Sequence, residues 1–126
     1  MINVSLENLR GITRKFAGNG RKLGYPTANL VVNTQLMDGV YFGYANLGGY
    51  VAHPTLIFIG TPTTVGDVEH RIEAHLLNIV DQDYYGLELE LDVQHFYRTN
   101  TTFDSVDDLI AAMKDDEIAA RQWFNK

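Results

Sequence analysis

Residues 18–29 read GNGRKLGYPTAN and bring three glycines, two cations, a proline and two small oxygen-bearing side chains into one loop. Gly18, Gly20 and Gly24 can take backbone angles barred to other residues and allow a ligand close to the main chain. Successive N–H groups exposed in such a loop form a cradle for an anion, and Arg21 and Lys22 add positive charge to it. Pro26 fixes its own φ and restricts Tyr25, so the chain leaves the loop in one direction. That exit carries Thr27 and Asn29, hard oxygen ligands of the kind Mg²⁺ accepts beside phosphate oxygens. The run is neither a Walker A sequence nor a GxGxxG fingerprint. From residue types alone, a phosphate-and-metal loop competes with an ordinary glycine-rich turn.

Charge narrows the choice of anion. The chain carries a net charge of −6, yet five of its ten basic residues (Arg10, Arg14, Lys15, Arg21, Lys22) fall between positions 10 and 22. An acidic protein repels a polyanion, so DNA and RNA are excluded as expected partners, and a nucleotide phosphate suits the local cluster. Cysteine is absent, which excludes disulfides and thiolate metal sites. His53, His70, His75 and His95 lack the spacing of a zinc site. No run of about eighteen apolar residues occurs and the start lacks a signal-peptide core, so neither membrane insertion nor export is expected and the cytoplasm is the predicted compartment.

The elements that must hold these residues are mostly strands. With 126 residues, 45 % of them hydrophobic, the chain fits one domain, 1–126, with one core. Residues 39–47 and 51–59 are rich in β-branched and aromatic residues and flank Gly48-Gly49, which predicts a hairpin. Pro54 removes a ladder donor, so its strand is expected at an edge or beginning after it. Ile72, Ala74 and Leu76 alternate with Arg71, Glu73 and His75, and residues 87–96 alternate similarly. A further strand is expected around Val4–Lys15. Ser105 with Asp108 forms a capping box ahead of Val106, Leu109, Ile110 and Met113 at helical spacing. The run Lys114–Glu117 interrupts that stripe, leaving Ile118–Trp123 as a second helix or a kinked continuation. Strands followed by a helix describe a small β-barrel or sheet capped by a C-terminal helix.

GRKLGYPTAN resembles the riboflavin kinase signature GRxLG[FY]PTAN at every position from Gly20 to Asn29. LMDGVYFGY, IGTPTT, RIEAHLL, DQDYYG and Arg98 followed by TTFDSVDDL resemble that family's later landmarks, in order, from about Leu9 to Trp123. The chain is similar in the same way to the C-terminal kinase module of bacterial bifunctional riboflavin kinase/FAD synthetases. The family commonly has glycine where this chain has Phe16, and an acid where it has Asn100.

The resemblance implies a mainly β fold, a six-stranded antiparallel Greek-key split barrel with a C-terminal α-helix. It also implies transfer of the γ-phosphate of ATP to the 5′-hydroxyl of riboflavin, giving FMN and ADP with Mg²⁺. Thr27 and Asn29 would hold the metal. Gly18, Gly20, Arg21, Lys22, Gly24, Thr27 and Asn29 would bind the nucleotide. Glu73 would be the general base. Arg98, Asn100, Phe103, Leu109 and Met113 would cover the flavin. His75 reads first as a structural histidine and second as a nucleotide contact, while Tyr85 is divided equally between an adenine contact and a strand-end aromatic. A non-catalytic flavin or nucleotide sensor on the same barrel is the alternative, and the intact Glu73 argues against it. Oligomeric state is open, with a monomer as the default.

Overall fold

The structure is a computed structural model and describes residues 5–15, 25–66, 69–80 and 82–126. Six strands, one α-helix and a short 3-10 turn (Thr63–Val65) lie in this part of the chain: β1 (Glu7–Ile12), β2 (Ala28–Leu30), β3 (Gly39–Leu47), β4 (Tyr50–Gly60), β5 (Arg71–Leu76), β6 (Glu88–Arg98) and α1 (Val106–Phe124). All strand pairs are antiparallel, in the order β1-β6-β3-β4-β5-β2. Within it β3, β4 and β5 are consecutive and β6 returns beside β3, which is the Greek-key arrangement. The two edges approach each other where Arg14 N–H donates to Asn29 O at 2.9 Å. Among the described residues a single bridge joins them, so the sheet is a split barrel.

The predicted hairpin forms on Gly48 and Gly49, with Gly48 at φ 56° as a tight primed turn needs. Pro54 departs from expectation, because β4 starts at Tyr50 and is a central strand. Pairing with β5 begins only at Thr55, so Pro54 has a ladder neighbour on the β3 side alone. The missing donor therefore costs no β5 hydrogen bond. The N-terminal strand is shorter than the expected span.

Two layers follow from the alternation of side chains. Tyr41, Ile57, Ile59, Ile72, Ala74, Leu89, Leu91 and Val93 fill the barrel interior. Val40, Phe42 and Leu56 point the other way and pack with Ala120 of α1. The helix thus covers the outer face of β3 and β4, and on β5 the residues opposite Ile72 and Ala74 are also largely withdrawn from water. The helix runs unbroken from Val106 to Phe124, so the acidic run neither ends nor splits it. Ser105 caps it, its hydroxyl accepting from Asp108 N–H at 3.1 Å.

Candidate functional site

Between the outer face of β3–β5 and α1 lies a cavity with an apolar part and a charged part. Val40, Leu56, Phe58, Phe103, Leu109 and Met113 form the apolar walls, and Arg71, Glu73, His75, Arg98 and Asp116 form the charged end. Its rim is stitched together by side chains. Phe103 N–H donates to Thr64 Oγ1 at 3.0 Å, and the hydroxyls of Thr63 and Thr102 lie 2.6 Å apart. This joins the turn after β4 to the segment between β6 and α1. Asn100 ties the same corner down, donating to Ile59 O at 2.8 Å. Gly60 allows that approach, since a Cβ there would meet Asn100 Nδ2 at 2.2 Å.

The charged end is organised as two ion pairs. Arg98 grips Asp116 with two parallel hydrogen bonds, Nε to Oδ1 and Nη2 to Oδ2, both 2.7 Å. This bidentate geometry is the strong form of the pair, and it pins the end of β6 to α1. The hydrogen bonds that Arg98 donates to Asp116 also raise the Arg98 pKa. Asp116 is 4 % exposed. Arg71, 3 % exposed, donates from Nη2 to Glu73 Oε1 at 3.2 Å. His75 is buried beyond Glu73 on the same face. Burial pushes its pKa down, against the opposing pull of the Glu73 and Asp116 carboxylates.

The PTAN segment enters from the other side. Asn29 of β2 stands in register with Glu73 of β5, and Ala28 with Ala74. A three-residue strand needs more than one partner, and β2 has three: β5, the Arg14 bridge, and a bridge from Ala28 to Tyr84. Thr27 Oγ1 donates to Tyr25 O at 3.0 Å, closing the turn over Pro26. Asn29 is buried, and its Oδ1 has no hydrogen-bond donor among the described residues. A buried amide oxygen left without a donor matches what a hard cation requires of a ligand. Among the described residues, no cluster of three or more His, Cys, Asp or Glu is placed to hold a metal.

Tyr25 links this segment to the helix. Its hydroxyl lies near the Glu117 carboxylate, and desolvation together with the Glu117 charge pushes the phenol up to about 12. Its ring meets His75 edge-on, with centroids 5.9 Å apart. Glu117 is also bonded by Arg121 at 2.9 Å, and Arg121 reaches Asn78 Oδ1 at 2.9 Å. Adjacent helix residues therefore face the two halves of the site: Asp116 the cavity, Glu117 the PTAN segment.

Glu73, His75, Arg98, Asn100, Phe103, Leu109 and Met113 all line the one cavity. Asn29 adjoins it through the β2–β5 ladder, and Thr27 lies two residues earlier, just ahead of β2. Tyr85 stands apart, 47 % exposed, with Lys15 Nζ 5.6 Å from its ring centroid. Gly18, Gly20, Arg21, Lys22, Gly24 and Phe16 lie outside the described residues. Trp123 packs against Phe42 and His95, away from the cavity. Sequence reasoning missed Arg71, Tyr25 and Asp116 as site residues. A signal for Asp116 existed: Leu109, Met113, Asp116 and Ala120 share one helical stripe, and an acid in an apolar stripe calls for a buried cation.

Residues 7–124 match the Flavokinase family, described as riboflavin kinase. A mouse riboflavin kinase (Mus musculus) is 31 % identical over 111 residues, which is 83 % of this chain and 72 % of the mouse protein. The bifunctional riboflavin kinase/FMN adenylyltransferase of Escherichia coli K12 is 34 % identical over 83 % of this chain, and the match spans 34 % of its own length. The crystal structure of riboflavin kinase from Trypanosoma brucei superposes with a TM-score of 0.70 at 22 % identity, covering 94 % of this chain and 80 % of that one, a likeness of fold.

Proposed function

Since the chain belongs to the riboflavin kinase family, we propose that residues 1–126 form one kinase module that phosphorylates riboflavin to FMN with ATP. The observation that carries this reading is the cavity itself. An apolar slot closed by Leu109, Met113 and Phe103 suits a flat ring system, and its charged end presents Glu73 where the slot meets the PTAN strand.

The 5′-hydroxyl of riboflavin lies against the Glu73 carboxylate. Its oxygen bonds to the γ-phosphorus, the bond from that phosphorus to the β,γ-bridging oxygen breaks, and ADP leaves with the electron pair. The hydroxyl proton passes to Glu73. A positioned base of this kind contributes roughly 10²–10⁴-fold. The remainder of the chemistry is alignment and charge neutralisation. Thr27 and Asn29 are the residues that would hold Mg²⁺, which when bound offsets the charge of the phosphates. The loop containing Gly18, Gly20, Arg21, Lys22 and Gly24 would hold the nucleotide, with His75 as a further contact. Tyr85 stands on the outer side as a candidate adenine contact.

Asn100, where the family has an acid, serves the backbone of β4, and Arg98 takes its carboxylate from Asp116 instead. The arginine clamp therefore survives the substitution. The module works in the cytoplasm, with riboflavin, FMN, ATP and ADP as its partners. The test is incubation of the purified chain with riboflavin, ATP and MgCl₂, following FMN by chromatography. FMN formation supports the kinase. Saturable quenching of riboflavin fluorescence without FMN would instead identify a sensor, and neither signal would defeat both readings.

A further inference from the structure

Arg71 has no role in the scheme above, yet it occupies the cavity beside the residue that does the chemistry. It is 3 % exposed and sits two residues before Glu73 on the same face of a central strand. A cation is costly to bury. It is retained here within 3.2 Å of the carboxylate that would receive the substrate hydroxyl. The other described cation of the cavity, Arg98, already grips both oxygens of Asp116.

Resting on the kinase reading, we infer that Arg71 is a catalytic residue that pairs with Glu73 before transfer and binds the phosphoryl group once it is joined to the flavin. A hydroxyl hydrogen-bonded to Glu73 lies about 3 Å from that carboxylate. The phosphorus that becomes bonded to its oxygen is therefore within a few ångströms of the Arg71 guanidinium. During transfer Glu73 takes a proton and loses its charge, which weakens its hold on Arg71 as negative charge arrives on the flavin side. The guanidinium then changes partners from one oxyanion to another, a contact for which its planar fork is suited. Riboflavin lacks the phosphate and gains nothing from Arg71. FMN gains a charge-assisted contact, so Arg71 sets the affinity ratio between product and substrate.

The measurement is flavin fluorescence titration of the native chain and of Arg71→Gln with riboflavin and with FMN. The native chain must first bind riboflavin, and absence of that binding would count against the kinase reading rather than against Arg71. Given binding, Arg71→Gln is expected to weaken FMN by roughly tenfold or more while leaving riboflavin within about threefold. A purely structural Arg71 would shift both flavins together, and that result, or an unchanged ratio, overturns the inference. Arg71→Gln strands the Glu73 charge and can fail to fold. In that case the same ratio is compared between Glu73→Gln and the Arg71→Gln/Glu73→Gln double variant, where the buried pair is removed as a unit. FMN preference should be high in the first and fall at least about tenfold in the second; equal preference in the two overturns the inference.

Discussion

Asn29 and Glu73 face each other across the β2–β5 ladder, the amide oxygen of one without a donor among the described residues and the carboxylate of the other paired to Arg71. Residues directly opposite in an antiparallel pair project to the same face with Cβ atoms about 5 Å apart. The ladder therefore sets the spacing between the expected metal ligand and the expected base before any ligand arrives. Asn29→Leu keeps the strand and removes the oxygen. The Mg²⁺ concentration for half-maximal FMN formation should rise at least about tenfold, in line with losing one ligand contact of about 1.4 kcal/mol or more. An unchanged Mg²⁺ requirement would remove Asn29 from the metal site.

Glu73→Gln keeps the shape and abolishes the base. Turnover should fall by roughly 10²–10⁴-fold, with riboflavin affinity within a few-fold of native. Steady-state kinetics combined with flavin titration separates the two effects. A variant that retains more than about a tenth of native turnover would exclude Glu73 as the general base.

Asp116→Asn tests the clamp between β6 and α1. Leaving Arg98 beside a neutral amide breaks a largely buried ion pair, which typically costs about 3–5 kcal/mol. Because Arg98 retains 28 % side-chain exposure, the lower end of that range is expected. Denaturant unfolding reads the loss as a lower midpoint with unchanged slope. Removing both partners, as in Arg98→Met/Asp116→Leu, should cost less than Asp116→Asn alone.

The acid side of the stability profile should depend on His75. Burial lowers its pKa in the fold, whereas the unfolded chain takes up the proton at about 6.5. His75 therefore contributes stability that is present above that pH and lost as pH falls through it toward the folded value. Between pH 7 and pH 5 the native chain should lose stability more steeply than His75→Gln, measured as denaturant midpoints across that range. Parallel profiles would show that another group governs the slope.

Much of this arrangement is legible in the residues. Gly48-Gly49, the alternation from Arg71 to Leu76, and Ser105 with Asp108 locate a hairpin, a strand and a helix start, because each depends on local chemistry. The resemblance of GRKLGYPTAN and its downstream landmarks brings Glu73, Arg98, Asn100, Phe103, Leu109 and Met113 to one cavity that no local pattern could assemble. What stayed hidden depended on tertiary contact. Arg71 only alternates with the core residues of its strand in the sequence, and the fold alone shows that it lines the cavity. Asp116 looked like a break in the apolar stripe because its partner lies 18 residues away, at Arg98. Pro54 looked like an edge marker because the sequence does not reveal that β5 pairs only from Thr55 onward.

The most direct measurement is a crystal structure of the chain with riboflavin, ADP and Mg²⁺. The account predicts the ring system between Leu109, Met113 and Phe103, with the 5′-oxygen about 2.6–3.2 Å from a Glu73 carboxylate oxygen. A flavin bound outside this cavity, or one whose 5′-oxygen points away from Glu73, would contradict it.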